Sequence, residues 1–360
     1  MSQPRRIIVL LPNWIGDTVM ATPALRALRE HFADAHVAHL GRPGPLETLD
    51  GLGLADAQIV DRSRRGGSLI GLWRLGVQIR RGDYELAVLL PNSCRAALVA
   101  RLGGVKHLAG YVRYGRGPML NVRLRPPRDA RGKLTPTSAV DYYIALAERL
   151  GATCASRRMV LAVPPRDSEA AAAMLEEAGL ATRRPRVMLN PGASFGISKV
   201  WSPHRYAALA DALIERRGAG IILNASPTER PVAEAVAAAM RYPPHLNLAR
   251  HENSIGLLKA LAARCDLVVT NDTGARHIAA AVGAAVVTLF GSTDPRWSAI
   301  DYELERIIRV DVPCSPCQER LCFQPPGPAY HQCMEAITVD RVLPAAEELL
   351  DLQAVRGDRS

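Results

Sequence analysis

Asp17, Lys199, Glu229 and Asp272 each stand within one loop of an apolar run of strand length. In a parallel sheet the ligand crevice lies beyond the carboxyl ends of the strands, so charged side chains in such loops are the ones that meet a substrate. The fullest example is the stretch from Leu267 to Pro295. It reads as a buried strand (Leu267 to Thr270), a polar turn (Asn271 to Gly274), an Ala-rich helix (Ala275 to Val282) and a second buried strand (Val286 to Phe290), which is a β-α-β unit. Asp272-Thr273-Gly274 and Gly291-Ser292-Thr293-Asp294 then open onto one crevice. Free N–H groups at the head of the helix, backed by its dipole, suit a phosphate, while Asp272 either caps the helix or takes a sugar hydroxyl. Without a ligand the same pattern is a capped crossover helix.

Asp17 follows strand Ile7 to Leu11 in the loop Pro12-Asn-Trp-Ile-Gly-Asp-Thr18, beside a helix that continues to Phe32 and is restarted or kinked at Pro23. A carboxylate there caps the helix or faces the crevice as a general base. Strand Val187 to Asn190 leads into a glycine-containing loop, Pro191 to Trp201, whose Lys199 is either a grip for a diphosphate or an ordinary surface lysine. Glu229, past strand Gly220 to Asn224, is placed to accept hydroxyls from a ribose. Gly192-Ala-Ser194-Phe-Gly196 matches the nucleophile elbow of α/β-hydrolases. That elbow needs a helix immediately after its Ser, whereas the helix signal here, Ser202-Pro203, comes about two turns too late. The match is accidental.

The elements that must position these residues alternate throughout. Strand Ala35 to Leu40, a loop through Gly41 to Pro45, strand Gln58 to Val60, a basic loop from Asp61 to Gly67, helix Ser68 to Arg80, strand Leu86 to Leu90 and helix Ser93 to Leu102 are followed by an aperiodic segment, Val105 to Lys133. Thr135 to Leu150 is a helix ended by Gly151, and Asp167 to Ala178 another. Alternation starts afresh at Val187: helix Pro203 to Arg217 capped by Ser202, helix Pro231 to Met240, a short strand at Asn247, helix Ile255 to Arg264 capped by Ser254, strand Ile307 to Val310 and helix Val339 to Leu352. No Gly-x-Gly-x-x-Gly turn follows any strand, which disfavours a dinucleotide oxidoreductase.

With 360 residues the chain exceeds the usual ceiling for a single core, and two domains are expected, over 1–165 and 186–345, with 346–360 as the end of the last helix and a frayed tail. No apolar run is long enough to span a membrane, and the start runs directly into a strand without room for a signal peptide, so a cytoplasmic protein is expected. The net charge of +10 is uneven: residues 1–160 hold 24 Lys and Arg against 12 Asp and Glu, the remainder 21 against 23. The first half therefore suits an acidic partner, whether phosphorylated substrate, anionic membrane surface or nucleic acid. Within it, residues 105–133 interleave Tyr111 and Tyr114 with Arg113, Arg116, Arg123, Arg125, Arg128 and Arg131, a composition that suits a phosphorylated sugar or a solvated loop. Cys314, Cys317, Cys322 and Cys333 have four-ligand spacing beside His331, open to zinc, to disulfides in an oxidising setting, or to plain thiols.

Pro12-Asn-Trp-Ile-Gly-Asp-Thr-Val-Met20, Asn271-Asp-Thr-Gly with His277, Phe290-Gly-Ser-Thr-Asp-Pro295 and Pro313-Cys-Ser-Pro-Cys317 resemble the ADP-heptose:lipopolysaccharide heptosyltransferases, and the resemblance covers almost the whole chain. The Trp-Ile-Gly-Asp form and the Cys segment look most like the branch that adds the second inner-core heptose. The resemblance implies an α/β protein of GT-B type, two Rossmann-like domains with a cleft between them, acceptor on the N-terminal one and ADP-heptose on the C-terminal one. It implies Asp17 as catalytic base, Ser194 and Lys199 at the donor diphosphate, Glu229 at the ribose, and Asp272, Thr273, Gly274 and His277 at the donor's phosphate and heptose. The loop after strand Gly220 to Asn224 begins Asn224-Ala-Ser where relatives often carry Gly, a departure that bears on Glu229.

No cofactor or metal is implied, since Lys199 and a helix N-terminus supply the positive charge that a departing diphosphate needs. The implied partners are ADP-heptose, a phosphorylated lipid-linked core oligosaccharide and, peripherally, the cytoplasmic face of the inner membrane, with no nucleic acid. The rival readings are a transferase for another core position, an epimerase or other GT-B nucleotide-sugar enzyme, and a non-enzymatic membrane- or nucleic-acid-binding protein using the Arg-rich half.

Overall fold

The computed structural model describes residues 3–63 and 69–357. The part of the basic loop from Arg64 to Gly67, the expected helix start at Ser68 and the last three residues lie outside the described residues. The chain divides into two compact units: Met1–Leu161 with Arg296–Ile300, and Ala162–Pro295 with Asp301–Ser360.

The first unit runs β1 (Arg6–Leu10), α1 (Ile15–Met20), α2 (Thr22–His31), β2 (His36–Gly41), α3 (Pro43–Thr48), β3 (Ala57–Val60), α4 (Leu69–Arg80), β4 (Leu86–Leu89), α5 (Cys94–Leu102), β5 (His107–Tyr111), β6 (Val122–Leu124) and α6 (Ala139–Arg149). Its six strands are all parallel, in the order β3-β2-β1-β4-β5-β6. Strands covered by helices on both faces lose the inside–outside alternation, which is why β4 reads Leu-Ala-Val-Leu and is buried throughout.

Three expectations need correction in this unit. The loop foreseen from Gly41 to Pro45 is mostly α3, because Pro43 and Pro45 sit in its first turn, where the ring presets φ and the missing N–H costs nothing. The aperiodic segment from Val105 holds two strands, β5 and β6, placed at the sheet's outer side where a short, Gly- and Arg-containing strand suffices. The helix foreseen from Thr135 starts at Ala139, with the Ser138 hydroxyl accepting from the Val140 N–H at 3.2 Å.

The second unit runs α7 (Pro165–Glu177), β7 (Arg186–Asn190), α8 (Pro203–Arg217), β8 (Gly220–Leu223), α9 (Arg230–Ala239), β9 (Leu246–Asn247), α10 (Ile255–Ala262), β10 (Leu267–Asn271), α11 (Gly274–Ala281), β11 (Ala285–Phe290), β12 (Glu305–Arg309), α12 (Gln332–Glu335) and α13 (Val339–Gly357). Its sheet is also all parallel, in the order β12-β11-β10-β7-β8-β9. Counted from each unit's own first strand, both sheets have the order 3-2-1-4-5-6 of the doubly wound dinucleotide fold. The strand order reverses at β1/β4 in one unit and at β7/β10 in the other, and crevices open at such switch points.

The second unit's core is built on the fully buried Trp201 and Tyr206 at the head of α8, the centres of β7, β10 and β11, and one face of α13. The Trp201 indole donates to the Ile337 carbonyl at 2.8 Å, so that its one polar group is satisfied inside the core. Ser254 caps α10 as foreseen, its hydroxyl accepting from the Leu257 N–H at 3.0 Å. Ser202 holds the N-cap position of α8, but its side chain makes no cap hydrogen bond.

Candidate active site

The loops after β7 and β10 flank the second unit's switch point, and they carry the sequence's most suggestive charges. After β7 the chain passes Gly192 and Ser194, makes a single 3-10 turn at Ile197–Lys199, and delivers Lys199 to a buried position. The Lys199 ammonium donates to the Asp272 carboxylate at 2.5 Å and to the Asp272 carbonyl at 3.0 Å, and lies 4.7 Å from the centre of the Phe195 ring. A buried lysine stays charged only when its surroundings repay the lost hydration, and Asp272 does so here.

Asp272 itself is held from three sides. Besides Lys199, the Thr293 hydroxyl donates to it at 2.8 Å and the Arg276 guanidinium stands at 3.8 Å. Burial on its own raises the carboxyl pKa; the charges of Lys199 and Arg276 and the Lys199 hydrogen bond outweigh it and hold Asp272 below its ordinary value. Thr273 occupies the N-cap of α11 without a side-chain cap bond, and the Asp272 carboxylate accepts from Lys199 and Thr293.

Along α11, Gly274 is the first residue, and Arg276 and His277 face inward. Arg276 is fully buried and forms a bidentate pair with Glu305 of β12, at 2.6 and 2.9 Å, while the Thr288 hydroxyl donates to the same carboxylate at 2.6 Å. Positive and negative groups thus alternate in the series Lys199, Asp272, Arg276, Glu305. His277 sits beside this series, and burial, reinforced by the Arg276 charge, pulls its pKa down to about 3. It is therefore neutral, and its Nδ1 is buried without a hydrogen-bond partner among the described residues. Such a buried polar atom, one turn into the helix that follows Asp272, can be satisfied by a ligand or by water.

Ser194 and Glu229 meet one another. The Ser194 hydroxyl donates to Glu229 Oε1 at 3.3 Å, and Glu229 Oε2 accepts from the Ser226 N–H at 3.1 Å and the Ser226 hydroxyl at 2.6 Å. Gly192 makes this approach possible, since a Cβ there would lie 2.3 Å from the Glu229 carboxyl carbon.

Asn190, Asn224 and Asn271 line the same strand ends. Asn190 donates to the hydroxyls of Thr270 and Thr273 at 3.2 and 3.3 Å, and Asn271 donates to the carbonyls of Pro191 and Gly192 at 2.9 and 3.1 Å, which fixes the turn that carries the loop. Asn190, Arg276, Glu305 and Gly192 were not picked out as site residues, and Asn271 and Thr293 only as members of their turns. The signal available was an Asn at the end of β7, of β10 and just beyond β8, and an Arg one helical turn after Asp272.

The Cys-rich segment supports the loop from behind. The Ser198 hydroxyl is hydrogen-bonded to that of Ser292 at 3.0 Å and donates to the Glu319 carbonyl at 2.5 Å, and the Ser198 N–H donates to the Arg320 carbonyl at 3.2 Å. A Cβ on Gly196 would lie 2.3 Å from that same Arg320 oxygen. All seven cysteines are free thiols, and among the described residues no group of three or more His, Cys, Asp or Glu is placed to hold a metal ion. Cys333 is pushed up to about 11 by burial and then by the neighbouring Cys314, Cys317 and Cys322.

In the first unit Asp17 lies in the first turn of α1, with Trp14 rather than Asp17 at the N-cap. The carboxylate is half-buried, at the switch point of its own sheet, and close enough to Tyr143 of α6 that, after burial, its charge helps raise the Tyr143 phenol well above its ordinary value. The Arg-rich segment resolves into different roles. Arg116 is fully buried and donates to the carbonyls of Tyr111 (2.8 Å), Pro91 and Ser93 and to Asn92 Oδ1 (3.3 Å). It braces the ends of β4 and β5 rather than standing in solvent, and burial lowers its pKa to about 10. Tyr111 stacks on Tyr142 of α6 with ring centres 3.6 Å apart, whereas Arg125, Arg128 and Arg131 are exposed.

Residues 72–326 match the family described as Glycosyltransferase family 9 (heptosyltransferase). Among curated proteins the chain is 28% identical to lipopolysaccharide heptosyltransferase 2 of Salmonella typhimurium, over 97% of this chain and 100% of that one, and 29% identical to lipopolysaccharide heptosyltransferase 2 of Escherichia coli, over 96% and 98%. Among solved structures it is similar to the E. coli ADP-heptose lps heptosyltransferase II, with a TM-score of 0.77 and 26% identity over 97% of this chain and 99% of that chain. A glycosyltransferase family 9 structure from Veillonella parvula, 22% identical with a TM-score of 0.81 over 97% and 98%, shares the fold.

Proposed function

Since this chain belongs to glycosyltransferase family 9, the heptosyltransferases, we propose that it moves L-glycero-D-manno-heptose from ADP-heptose to the heptose already on the lipopolysaccharide inner core. It is a glycosyltransferase of the GT-B fold class, α/β with two Rossmann-like units. The observation that carries the substrate reading is the buried Lys199–Asp272 pair at the head of α11 beside the unpartnered His277 Nδ1.

The chemistry divides between acceptor and donor. In an inverting transfer a base removes the proton of the incoming hydroxyl as that oxygen attacks the anomeric carbon, while the opposite bond to ADP breaks through an oxocarbenium-like transition state. Asp17 is the base in this reading. It is a half-buried carboxylate on the unit with the positive charge excess, which suits an anionic acceptor. Charge grows on the diphosphate as the bond breaks, and preorganised positive groups are worth most when water is excluded. Lys199 and the N–H groups at Gly274 supply them, and Ser194 adds a hydroxyl donor.

Glu229 takes the ribose hydroxyls, exchanging the Ser194 bond for them. Asp272 and Thr273 take the heptose hydroxyls and donor phosphate, and neutral His277 offers its Nδ1 as acceptor or donor according to tautomer. The acceptor is lipid-linked, so the enzyme works in peripheral contact with the cytoplasmic face of the inner membrane; among the described residues no helix is long and apolar enough to cross it.

The test is transfer from ADP-heptose to a core acceptor carrying one heptose, with wild type and Asp17→Asn in parallel. Wild type transfers, and Asp17→Asn binds donor normally but turns over roughly a thousandfold more slowly. Transfer only to a heptose-free acceptor refutes the choice of acceptor, and an active Asp17→Asn refutes the base.

A further inference from the structure

Helix α4 is apolar on two opposite sides. Inward, Leu75 and Ile79 belong to the first unit's core with Leu72 packed against it. Outward, Leu69, Ile70 and Trp73 are 82%, 63% and 62% exposed. Large exposed apolar side chains clustered on one face and rimmed by polar ones mark an interaction surface. Leu69, Trp73 and the half-buried Val77 follow one another four residues apart and form a continuous ridge, with Ile70 on its flank.

The surroundings of the ridge are basic. Arg62 and Arg74, both exposed, line a pocket of about 530 Å³ beside α4 with Gln58, Ser63 and Gln78, and among the described residues no carboxylate lines it, the buried Asp61 behind Ser63 being paired with Arg95. Beyond the pocket, residues 1–160 carry twice as many basic as acidic side chains. A nucleic acid would use the arginines but leaves exposed Leu and Ile without a purpose. A bilayer surface uses both, because Trp and aliphatic side chains enter the boundary between headgroups and acyl chains while arginines meet lipid phosphates.

Resting on the reading that the acceptor is lipid-linked, we propose that the outward side of α4 is the surface by which this enzyme docks on an anionic phospholipid membrane. Leu69, Ile70 and Trp73 enter the lipid boundary, and Arg62 and Arg74 hold headgroup phosphates in the adjoining pocket.

The experiment compares wild type with the double variant Leu69→Ser, Trp73→Ser by co-sedimentation with vesicles of phosphatidylcholine alone or mixed with phosphatidylglycerol. In parallel it measures heptosyl transfer to a water-soluble, lipid-free core fragment. Wild type binds the phosphatidylglycerol vesicles, more weakly as salt rises, and does not bind phosphatidylcholine alone. The double variant loses vesicle binding by roughly tenfold or more, yet transfers to the soluble fragment at the wild-type rate, which also shows that it is folded.

Equal vesicle binding by both proteins, or none by wild type, overturns the proposal. So does a wild-type dimer in sedimentation velocity that the double variant splits, because the ridge then covers a second copy of the chain. Vesicle binding that behaves as stated while neither protein transfers heptose leaves the docking surface standing and refutes the enzymatic reading instead.

Discussion

Replacing Lys199 by Ala and Asp272 by Asn, singly and together, separates what this pair does for folding from what it does for chemistry. Both side chains are about nine-tenths buried, with the ammonium 2.5 Å from the carboxylate. Removing one partner from a buried pair leaves an uncompensated charge, at a cost of about 3–5 kcal/mol. Here the lower end applies to Lys199→Ala, because Thr293 at 2.8 Å and Arg276 at 3.8 Å still attend Asp272. Asp272→Asn costs about as much, since Lys199 then faces a neutral amide in place of the compensating carboxylate. The double variant buries no orphaned charge, so it is less destabilised than the sum of the singles, with a coupling of about 2–3 kcal/mol.

Activity behaves differently. Lys199→Ala loses roughly a hundred- to a thousandfold in kcat, the usual effect of deleting a positive group from a developing anion, and adding Asp272→Asn costs little further stability and does not restore turnover. Urea unfolding of the four proteins and their kcat for ADP-heptose transfer are the two readouts. Single effects that add to within about 0.5 kcal/mol would mean that the pair does not form in solution. Recovery of turnover in the double variant refutes the leaving-group role and leaves Lys199 a structural partner.

Three further outcomes follow from the same geometry. His277 has a folded pKa near 3 against an ordinary 6.5. Between those values the unfolded chain binds a proton that folded His277 refuses, so stability falls as pH is lowered, by about 2 kcal/mol at pH 5; His277→Gln removes that part of the slope, and urea midpoints at pH 7.5 and 5 for both proteins check it. Glu305→Gln leaves the fully buried Arg276 without its bidentate carboxylate, lowers stability by about 3 kcal/mol, and raises the donor KM more than it lowers kcat, since Asp272 then draws Arg276 away from β12. Gly196→Ala drives a methyl group against the Arg320 backbone and costs about 1–3 kcal/mol, while Ala at Gly53, where nothing lies within 4 Å but φ is +64°, is strained by its backbone alone and leaves donor binding unchanged.

The β10–α11–β11 unit was legible because its strands are unbroken apolar runs and its turn is punctuated by Asn, Asp and Gly, signals that need no tertiary context. For the opposite reason β5 and β6 were hidden: short strands at the sheet's outer side tolerate Gly, Arg and Pro nearby and show no period. Within the site, charge at a strand end marked Lys199, Glu229 and Asp272 by position. Their pairing was not legible, because Lys199 meets Asp272 across 73 residues and Arg276 meets Glu305 across 29, and neither spacing follows a local rule. Arg116 shows the limit most plainly. The composition around it suits a phosphorylated sugar or a solvated loop, and only the arrangement of carbonyls from Pro91, Ser93 and Tyr111 reveals a buried brace.

The support of the Lys199 loop by the Cys-rich segment sets an order of events during synthesis. Ser198 waits for Glu319 and Arg320, and Trp201 for Ile337, partners that emerge from the ribosome more than a hundred residues later. A nascent chain released up to residue 300 has all the strands of its second sheet except β12, and Asn271 and Asp272 to meet the Lys199 loop, yet it lacks the Glu319 and Arg320 carbonyls that Ser198 takes. Non-local contacts of this length are slow to form and come late. Residues 1–161, with the α4 ridge and Asp17, therefore leave the ribosome well before the Cys-rich segment that braces the Lys199 loop, so on the reading proposed above the docking surface emerges earlier than the last support of the donor loop.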